Sequence, residues 1–480
     1  MDTRAEGAAP RARRGAPVGM LFYPGRSRGR RRRAVTVTVI VGAQFGDEAK
    51  GKITDYLAAR AQFVVRTGGG PNAGHSIRIG EESVVLHQLP CGVLRHGVTA
   101  IGGPGMVVDP PGLEEEIRAL DQRGLLKGGL LFSDRAHVIL PLHRLEDAWE
   151  EKVRSAGTAG RSVGTTLRGI GPAYSDRAGR WGLRLADLTR PAILAERLAL
   201  LYATKEHLVD LPPEEEMRAE LVAAGQRLAP LIQPTEPVLW EALRRRDTIL
   251  LEGAQSALLD VDFGTYPFVT SSHPTSAGAL VGSGIPPQEL DEVVGVAKAY
   301  ATRVGAGPFP TEEEGAAGEY LRREGAEMGA TTGRPRRCGW LDLVLLRFAA
   351  RLNGFSSLAI TKVDVLGGLE EVPVCTAYES PSGGRRTLYP PTMADDFRGL
   401  TAVYDRLPGW PPFTHALKER LAREGASALP GELKRFLGYL TEQTGVPVEY
   451  VSYGPRRHET VWLGRGGRKV PQNELTGWAR

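Results

Sequence analysis

The sequence predicts one large α/β domain built around a mainly parallel central sheet. Residues 36–41 (TVTVIV) form a short apolar run rich in β-branched residues, which is typical of a buried strand. A glycine-bearing turn follows, then a helical pattern over 50–60 and a second strand over 62–66. A strand, loop, helix and strand in this order favour an open sheet that binds ligands at the carboxyl ends of its strands.

The same alternation continues along the chain. Helices are predicted near 113–123, 144–155, 192–208, 214–231 and 341–352, and strands near 138–140, 248–251, 292–297, 357–360 and 448–452. We predict that 190–246 is a helical insertion and that 379–396, rich in turn residues, is a loop. No repeat of fixed period and no long proline- or serine-rich linker divides the chain.

Composition excludes several classes of protein. Of 480 residues, 41% are hydrophobic and 24% are charged, as in an ordinary globular protein. No apolar run approaches the roughly 18 residues of a membrane-spanning helix, so we expect no membrane association. Three widely spaced cysteines form no CxxC pair, which predicts a reducing compartment and a cytoplasmic protein.

The net charge of +5 is unevenly distributed. Residues 1–34 hold ten arginines against two acids, a net charge of +8, which leaves −3 for 35–480. The mildly acidic body argues against a nucleic-acid-binding face. We predict that 1–34 is a disordered, arginine-rich extension and that 35–480 is the catalytic domain. Polyanion contact and organelle targeting are the alternatives for the extension.

The first loop has the spacing of a phosphate-binding loop. Gly46–Ile53 (GDEAKGKI) matches G-x-x-x-x-G-K, with Ile53 in place of the usual serine or threonine. Two carboxylates inside the loop, Asp47 and Glu48, are unexpected because they repel phosphate. Asp47 is explained if it ligates a metal ion or acts as a base. The alternative is a solvated turn with surface acids.

Residues 68–75 (GGGPNAGH) form a second glycine-rich loop, which allows a ligand to approach the backbone closely. It also satisfies a dinucleotide-binding pattern, but 76–86 alternates like a hairpin instead of a helix, so that interpretation is disfavoured. His75 is a candidate acid or phosphate donor, with a purely structural role as the equal alternative. A hydrolase-like G-x-S-x-G at 160–164 is rejected because a charged helical segment precedes it.

Two further motifs lie in the C-terminal half. Thr361–Asp364 (TKVD) follows an apolar strand, and a carboxylate there can accept hydrogen bonds from two N–H groups of guanine, which favours GTP over ATP. A salt bridge at the strand end is the alternative. Residues 329–337 (GATTGRPRR) place three arginines in a flexible loop, which indicates an anionic substrate or else a solvated basic loop.

Together these motifs resemble those of the adenylosuccinate synthetase family. The resemblance covers nearly all of 35–480 and rests on 42–52, 68–76, 163–174, 252–272, 302–312, 329–342, 361–364 and 453–455, in this order. It implies a P-loop-like GTP site and a GTP-dependent ligase that joins L-aspartate to IMP with one Mg²⁺ per subunit. A base removes the N1 proton of IMP, the 6-oxygen takes the γ-phosphoryl group, and the aspartate amine then displaces phosphate.

The resemblance also implies roles for individual residues. The catalytic group is Asp47 (base), His75 (acid) and Gln255, and the Mg²⁺ ligands are Asp47 and the Gly74 carbonyl. GTP binding is expected of Gly46, Asp47, Glu48, Lys50, Gly51, Lys52, Gly74, His75, Ser76, Arg336, Lys362, Val363, Asp364, Ser452, Tyr453 and Gly454. IMP binding is expected of Asp47, Lys50, Asn72, Ala73, Gly74, His75, Thr166, Arg180, Gln255, Thr270 and Arg334, with Arg180 contributed across a homodimer interface. Aspartate binding is expected of Ala330, Thr331, Thr332, Gly333, Arg334 and Arg336.

Several positions depart from the family pattern. Ala49 replaces a glycine, so we expect the loop to lose a positive-φ conformation. Leu167 also replaces a glycine of some members, Pro335 is expected to stiffen its loop, and Ser256 and Tyr453 are unusual. Two other functions are alternatives. A viral branch that makes the 2-amino analogue is expected to lack the loop aspartate, and an inactive nucleotide-binding regulator would not need Asp47, His75 and Arg334 together.

Overall fold

The structure is a computed structural model that describes residues 36–157, 162–329 and 333–464. The predicted extension 1–34 lies outside these residues. In the described ranges the strands are β1 (Val37–Gly42), β2 (Phe63–Arg66), β3 (His75–Ile79), β4 (Glu82–Leu86), β5 (Thr99–Gly102), β6 (Val107–Val108), β7 (Gly129–Ser133), β8 (His137–Val138), β9 (Ile232–Gln233), β10 (Ile249–Ser256), β11 (Glu292–Lys298), β12 (Tyr300–Arg303), β13 (Arg337–Asp342), β14 (Ser357–Thr361), β15 (Glu371–Glu379), β16 (Arg385–Arg386), β17 (Thr401–Pro408), β18 (Val448–Ser452) and β19 (Thr460–Trp462).

Helices connect most of these strands, as the predicted alternation requires. They are α1 (Lys50–Ala58), α2 (Pro110–Gln122), α3 (Pro141–Ala156), α4 (Ile170–Gly179), α5 (Leu185–Leu188), α6 (Pro191–Ala203), α7 (Glu214–Leu228), α8 (Glu236–Arg245), α9 (Ser276–Val281), α10 (Ala316–Glu324), α11 (Leu343–Asn353), α12 (His415–Glu424) and α13 (Gly431–Thr444). None of these helices is long and apolar enough to cross a lipid bilayer.

The central sheet has ten strands in the order β19-β18-β14-β11-β1-β10-β2-β5-β7-β9. All neighbours are parallel except the edge pair β18–β19, so the predicted mainly parallel sheet is confirmed. The carboxyl ends of β1, β10, β11 and β14 therefore meet along one edge, which is where parallel sheets bind ligands.

Strand β1 lies in the middle of this sheet and is buried on both faces. Val39 and Val41 pack into the core on one face, whereas Ile40 packs on the other with Ile53 and Tyr56 of α1. Side chains alternate between the faces of a strand, so both faces must be apolar. This explains why the run at the start of the domain is apolar except for threonine.

The structure corrects two predictions about organisation. The insertion 190–246 is not purely helical, because β9 within it pairs with β7 and extends the central sheet by one strand. The predicted loop 379–396 is mostly irregular, but it is flanked by two unpredicted strands, β15 and β17, which pair antiparallel and join a second sheet with β12, β13 and β16. The hairpin β3–β4 and the helix before residue 160 agree with prediction. All three cysteines (Cys91, Cys338 and Cys375) are buried and outside any disulfide.

Candidate functional site

A cleft of about 1160 Å³ opens at the carboxyl ends of the central strands. It is bordered by the loops after β1, β2, β10, β14 and β18 and by the arginine-rich loop before β13. Of the residues predicted to act, the cleft is lined by Gly46, Asp47, Lys50, Gly51, Lys52, Asn72, Ala73, Gly74, His75, Ser76, Thr166, Gln255, Thr270, Arg334, Arg336, Lys362, Asp364, Ser452 and Gly454. Motifs that are up to 400 positions apart in sequence therefore share one site.

Five predicted residues do not line the cleft. Glu48, Val363 and Tyr453 are buried behind its wall, with 0%, 0% and 1% of their surface exposed. Arg180 and Gly333 are exposed outside it. Three further predicted residues, Ala330, Thr331 and Thr332, lie outside the described residues.

Glu48 organises the phosphate-type loop from within. Its carboxylate accepts hydrogen bonds from the backbone N–H groups of Gln44 (3.1 Å) and Gly46 (2.9 Å) and from the Lys50 ammonium (2.6 Å). Burial alone would raise the pKa of Glu48, but the charge and hydrogen bond of Lys50 lower it below its usual value. The unexpected carboxylate is thus an internal brace instead of a group that faces phosphate.

Ser256, one of the unusual residues, belongs to the same brace. Its hydroxyl lies 2.6 and 2.8 Å from the two carboxylate oxygens of Glu48 and 3.1 Å from the Lys50 ammonium. Gly51 is needed at the start of α1, because a Cβ atom there would lie 2.6 Å from the Cβ of His75. The two glycine-rich loops therefore touch each other.

The expected loss of a positive-φ conformation at Ala49 is wrong. Ala49 has φ 66° and Asp47, two residues earlier, has φ 62°, both in the left-handed region. Leu167 likewise keeps φ 54°. The hydrogen bonds to Glu48 hold the loop in shape without glycine, and the resulting strain, of order 1–2 kcal/mol per residue, is characteristic of functional loops.

Asp47 is held by an arginine across the cleft. Arg336 donates to Asp47 Oδ1 from Nη2 at 3.0 Å, and the closest contact of the ion pair is 2.9 Å. The Asp47 side chain is 27% exposed, so a ligand in the cleft can reach it. Arg336 also donates to the buried carboxylate of Glu327 at 2.6 Å.

His75 is oriented by a buried glutamate that the sequence analysis did not single out. Its Nδ1 lies 2.5 Å from Glu252 Oε1, and its Nε2, in the cleft wall, has no hydrogen-bond partner among the described residues. Burial lowers the pKa of His75 in spite of the opposing charge of Glu252. Burial would raise the pKa of Glu252, but His75 and Arg66 lower it. Nδ1 therefore carries the proton, and Nε2 is available to exchange one with a ligand.

Glu252 is also tied to the backbone. It accepts a hydrogen bond from the Cys91 N–H at 2.8 Å and lies 3.3 Å from the Cys91 thiol. A charged residue that follows the apolar run of β10 was the available sequence signal, because such a residue must be paired where it is buried.

The amide side chains at the centre of the cleft contact each other. Gln255 donates to Asn72 Oδ1 at 3.1 Å, and Gln255 Oε1 has no partner within the described residues. Arg334, from the arginine-rich loop, donates to the Gly164 carbonyl at 3.0 Å in the segment next to Thr166. This part of the cleft therefore offers neutral donors and acceptors together with one guanidinium group.

The TKVD motif forms the far end of the cleft. Burial raises the pKa of Asp364, and its Oδ1 has no hydrogen-bond partner in the part of the chain that the structure describes. A buried carboxylate oxygen without a donor is costly, which indicates that a ligand supplies one. Lys362 has φ 60° and donates to the Gly325 carbonyl at 2.5 Å.

Lys52, predicted to take part in GTP binding, is bonded to the loop after β18. Its ammonium donates to Ser452 Oγ (2.6 Å), the Gly454 carbonyl (2.5 Å) and the Glu459 carbonyl (2.9 Å). An ammonium has three N–H donors, so none remains for phosphate. Burial lowers the pKa of Lys52 to about 7. Lys52 therefore shapes the loop after β18 from the wall of the cleft.

Comparison with known proteins agrees with this geometry. The family model described as adenylosuccinate synthetase matches residues 39–461. Adenylosuccinate synthetase of Moorella thermoacetica is 46% identical over 442 residues, which cover 89% of this chain and 99% of that protein. The protein of the same name from Myxococcus xanthus is 47% identical over 439 residues, 88% of this chain and 98% of that protein.

Two solved structures are also similar. Fully ligated adenylosuccinate synthetase from Plasmodium falciparum matches with a TM-score of 0.82 and 35% identity, covering 89% of this chain and all of that one. Cyanophage S-2L succinoaminodeoxyadenylate synthetase, bound to dGMP and dATP, matches with a TM-score of 0.59 and 21% identity over 93% of this chain and all of that one, a likeness of fold alone.

The order of the motifs, their convergence on one cleft and the match over 39–461 all agree. The chain therefore belongs to the adenylosuccinate synthetase family, whose reaction is the GTP-dependent ligation of L-aspartate to IMP through 6-phosphoryl-IMP, the committed step from IMP to AMP.

Proposed function

We propose that Asp47 and His75 carry out the phosphoryl-transfer step. Asp47 removes the N1 proton of IMP, which makes the 6-oxygen nucleophilic. His75 takes up a second proton beside the negatively charged phosphates and, as an imidazolium, donates from Nε2 to the oxygen that gains charge. The observation that carries this proposal is the shared cleft position of a carboxylate held by Arg336 and an imidazole held by Glu252. A base and an acid whose orientation is fixed by second groups are typical of such chemistry.

Binding of IMP would exchange the Arg336 contact of Asp47 for the N1–H of the base. Asn72, Gln255, Thr166 and Thr270 border the same cleft and would hold IMP. The unpartnered Gln255 Oε1 supports this role, because a ribose hydroxyl of IMP can supply the donor that it lacks.

Arg334 and Arg336 would bind the carboxylates of L-aspartate together with residues 330–333. Guanidinium groups donate two parallel hydrogen bonds to a carboxylate. The amine of the substrate would then reach the carbon that bears the phosphoryl group. Arg334 holds Gly164 in the present structure, so aspartate would draw this loop and the segment around Thr166 together.

Asp364 would read the guanine of GTP, with Lys362 covering the base and the turn Ser452–Gly454 closing over it. The unpaired Asp364 Oδ1 supports this assignment. Lys50, Gly51 and the backbone N–H groups of the loop after β1 would hold the phosphates.

A Mg²⁺ ion would be held by Asp47 and the Gly74 carbonyl. Both border the cleft, and both offer the oxygen ligands that Mg²⁺ prefers. When bound, the ion would offset the negative charge of the GTP phosphates and of the transferred group.

We further propose a cytoplasmic homodimer in which Arg180 reaches the IMP of the partner. Arg180 follows α4 with φ 67° and is exposed outside its own cleft. Mixing inactive Asp47→Asn and Arg180→Leu dimers tests this arrangement. If each site combines Asp47 of one subunit with Arg180 of the other, random exchange restores about a quarter of the wild-type rate. No recovery after confirmed exchange would contradict it.

Phosphate release from GTP, with IMP and L-aspartate omitted in turn, tests the whole assignment. We expect release only when all three substrates and Mg²⁺ are present. Sustained release without aspartate would instead indicate a GTP phosphatase. We also propose that residues 1–34 are dispensable, so a chain that begins at residue 35 should keep the same rate and the same oligomeric state.

A further inference from the structure

We propose that Glu327 is a positioning residue that anchors the guanine-side Lys362 and the substrate-side Arg336 on one buried carboxylate, and so couples GTP binding to aspartate binding. This inference rests on the proposed roles of Lys362 and Arg336. Glu327 itself is fully buried and lies outside the cleft, so it does not touch a substrate.

The carboxylate of Glu327 accepts an unusual number of donors. Lys298 donates to both oxygens at 2.9 Å, Arg336 donates at 2.6 Å, and Lys362 lies 3.5 Å away. The Tyr300 hydroxyl is a further donor. Burial alone would raise the pKa of Glu327, but the three cations lower it to about 2, so the group is ionised at neutral pH.

One buried cation would be enough to neutralise this carboxylate. Lys298 and Glu327 are both fully buried and already form a two-point pair. Arg336 and Lys362 are different, because they are 11% and 30% exposed and line the cleft. Two cations that reach into the site are therefore tethered by the same buried anion.

Glu327 also closes the base of the arginine-rich loop. The Arg336 N–H donates to the Glu327 carbonyl at 3.0 Å, and the Gly329 N–H donates to the Arg334 carbonyl at 2.8 Å. The arginine-rich loop therefore begins and ends next to the carboxylate that holds both cations. From there Arg336 reaches Asp47.

A mechanical consequence follows. When IMP takes Asp47 away from Arg336, Arg336 remains fixed at Glu327 and can only turn about that contact. Lys362 keeps its distance from the same contact when guanine binds. Because one carboxylate holds both cations, guanine that orders Lys362 also restrains Arg336, which L-aspartate needs, and aspartate in turn restrains Lys362.

Steady-state kinetics of Glu327→Gln test this coupling. The variant keeps the size and one acceptor but loses the charge. We expect the KM for GTP and the KM for L-aspartate each to rise about tenfold or more, since both cations lose the negative charge that they share and Arg336 also loses a hydrogen bond to it. The KM for IMP should stay within about twofold, because Glu327 itself contacts none of the residues proposed to bind IMP. An equal rise in all three KM values, or a fall in kcat alone, would overturn the proposal.

Two matched variants separate the loss of the Glu327 contacts from a failure to fold. Lys298→Met removes the other buried charge but leaves Glu327 with Arg336 and Lys362, so both KM values should stay near wild type. Lys298→Met/Glu327→Gln removes both members of the pair, which is often tolerated where loss of one is not. The double variant should reproduce the two raised KM values even if Glu327→Gln fails to fold.

The wild-type substrate-omission assay separates two kinds of failure. A wild-type chain that does not need GTP and aspartate together would contradict the proposed function. A wild-type chain that needs both, with a double variant whose KM values are unchanged, would contradict only the role of Glu327.

Discussion

The ammonium of Lys52 lies 2.6 Å from the hydroxyl of Ser452, although 400 positions separate them in the sequence. Lys52 belongs to α1, directly after the loop proposed to hold phosphates, and Ser452 ends β18, beside the proposed guanine site. Together with the bonds to Gly454 and Glu459, this contact joins the two ends of the nucleotide site. A residue that the motif assigns to phosphate therefore supports the base-binding loop.

Lys52→Met should raise the KM for GTP about tenfold or more, since it removes three hydrogen bonds that shape the loop. The preference for GTP over ITP should fall as well, because the loop borders the base. If Lys52 bound phosphate instead, the KM values for GTP and ITP would rise by the same factor. Steady-state kinetics with the two nucleotides decide this point. Lys418→Met is the control, because Lys418 contacts the side chain of Glu459 from a partly exposed position.

The buried Lys52 should also make stability depend on pH. Its pKa is about 7 in the folded protein, against 10.5 for an ordinary lysine such as that of the unfolded chain, so folding forces out a proton between these values. The penalty on stability is complete below pH 7 and disappears as the pH rises to 10.5. Relative to Lys52→Met, the wild type should gain at most about 1.4 kcal/mol per pH unit in this window. Urea unfolding of both proteins at pH 7 and pH 9 measures the gain, and a constant difference would refute a buried, titrating lysine.

Asp47→Asn should lower kcat by about 10²–10⁴-fold, the usual effect of losing a general base. The affinity for IMP should change less, because the amide keeps the size of the side chain. Single-turnover phosphate release and equilibrium binding measure the two effects separately. A variant that keeps more than about a tenth of the wild-type rate would not be missing its base.

Asp364→Asn should change the preferred nucleotide. The amide offers one donor and one acceptor, which suit the 2-oxo and N1–H groups of xanthine, whereas guanine presents two donors. We expect the KM for GTP to rise at least about tenfold and XTP to become the better substrate. The KM values for IMP and aspartate serve as internal controls. A variant that still prefers GTP would mean that Asp364 does not read the base.

Position 49 tests the strain in the phosphate-type loop. Ala49→Gly should keep activity and raise the free energy of unfolding by up to about 1 kcal/mol, since relief of left-handed strain exceeds the added chain entropy. Ala49→Val should lower it by about 1 kcal/mol or more, because a β-branched residue rarely adopts positive φ. Urea unfolding and phosphate release of the three proteins check this. Equal stability of Ala49→Val and wild type would contradict the left-handed conformation.

Local patterns predicted the central sheet well but gave little sign of the second sheet. Strand β1 is buried on both faces, so its own apolar residues are enough to predict a buried strand. The antiparallel pair β15–β17 gives no such sequence pattern, because half of β17 is exposed. Its partner strand begins 30 positions earlier, so the pairing depends on tertiary contacts.

The residues of the candidate site likewise fall into those that local motifs predicted and those that they did not. Asp47, His75 and Asp364 stand in motifs whose spacing is visible in the chain. Glu252 and Glu327 were not singled out, because their partners lie 177 and 29 positions away and no spacing rule connects them. Ala49 was misjudged for the opposite reason, since local preference argued for glycine and the bonds to Glu48 override that preference.

The burial of all three cysteines has a practical consequence for spectroscopy. Burial raises the pKa of Cys91 well above its usual value and that of Cys338 to about 11, and it also raises the pKa of Cys375, so the reactive thiolate form is scarce. The native chain should thus be almost inert to maleimides. A cysteine introduced at Met328, which is 51% exposed at the rim of the cleft, would be labelled selectively. A dye there would report on ligand binding at the rim of the cleft, without prior removal of any native thiol.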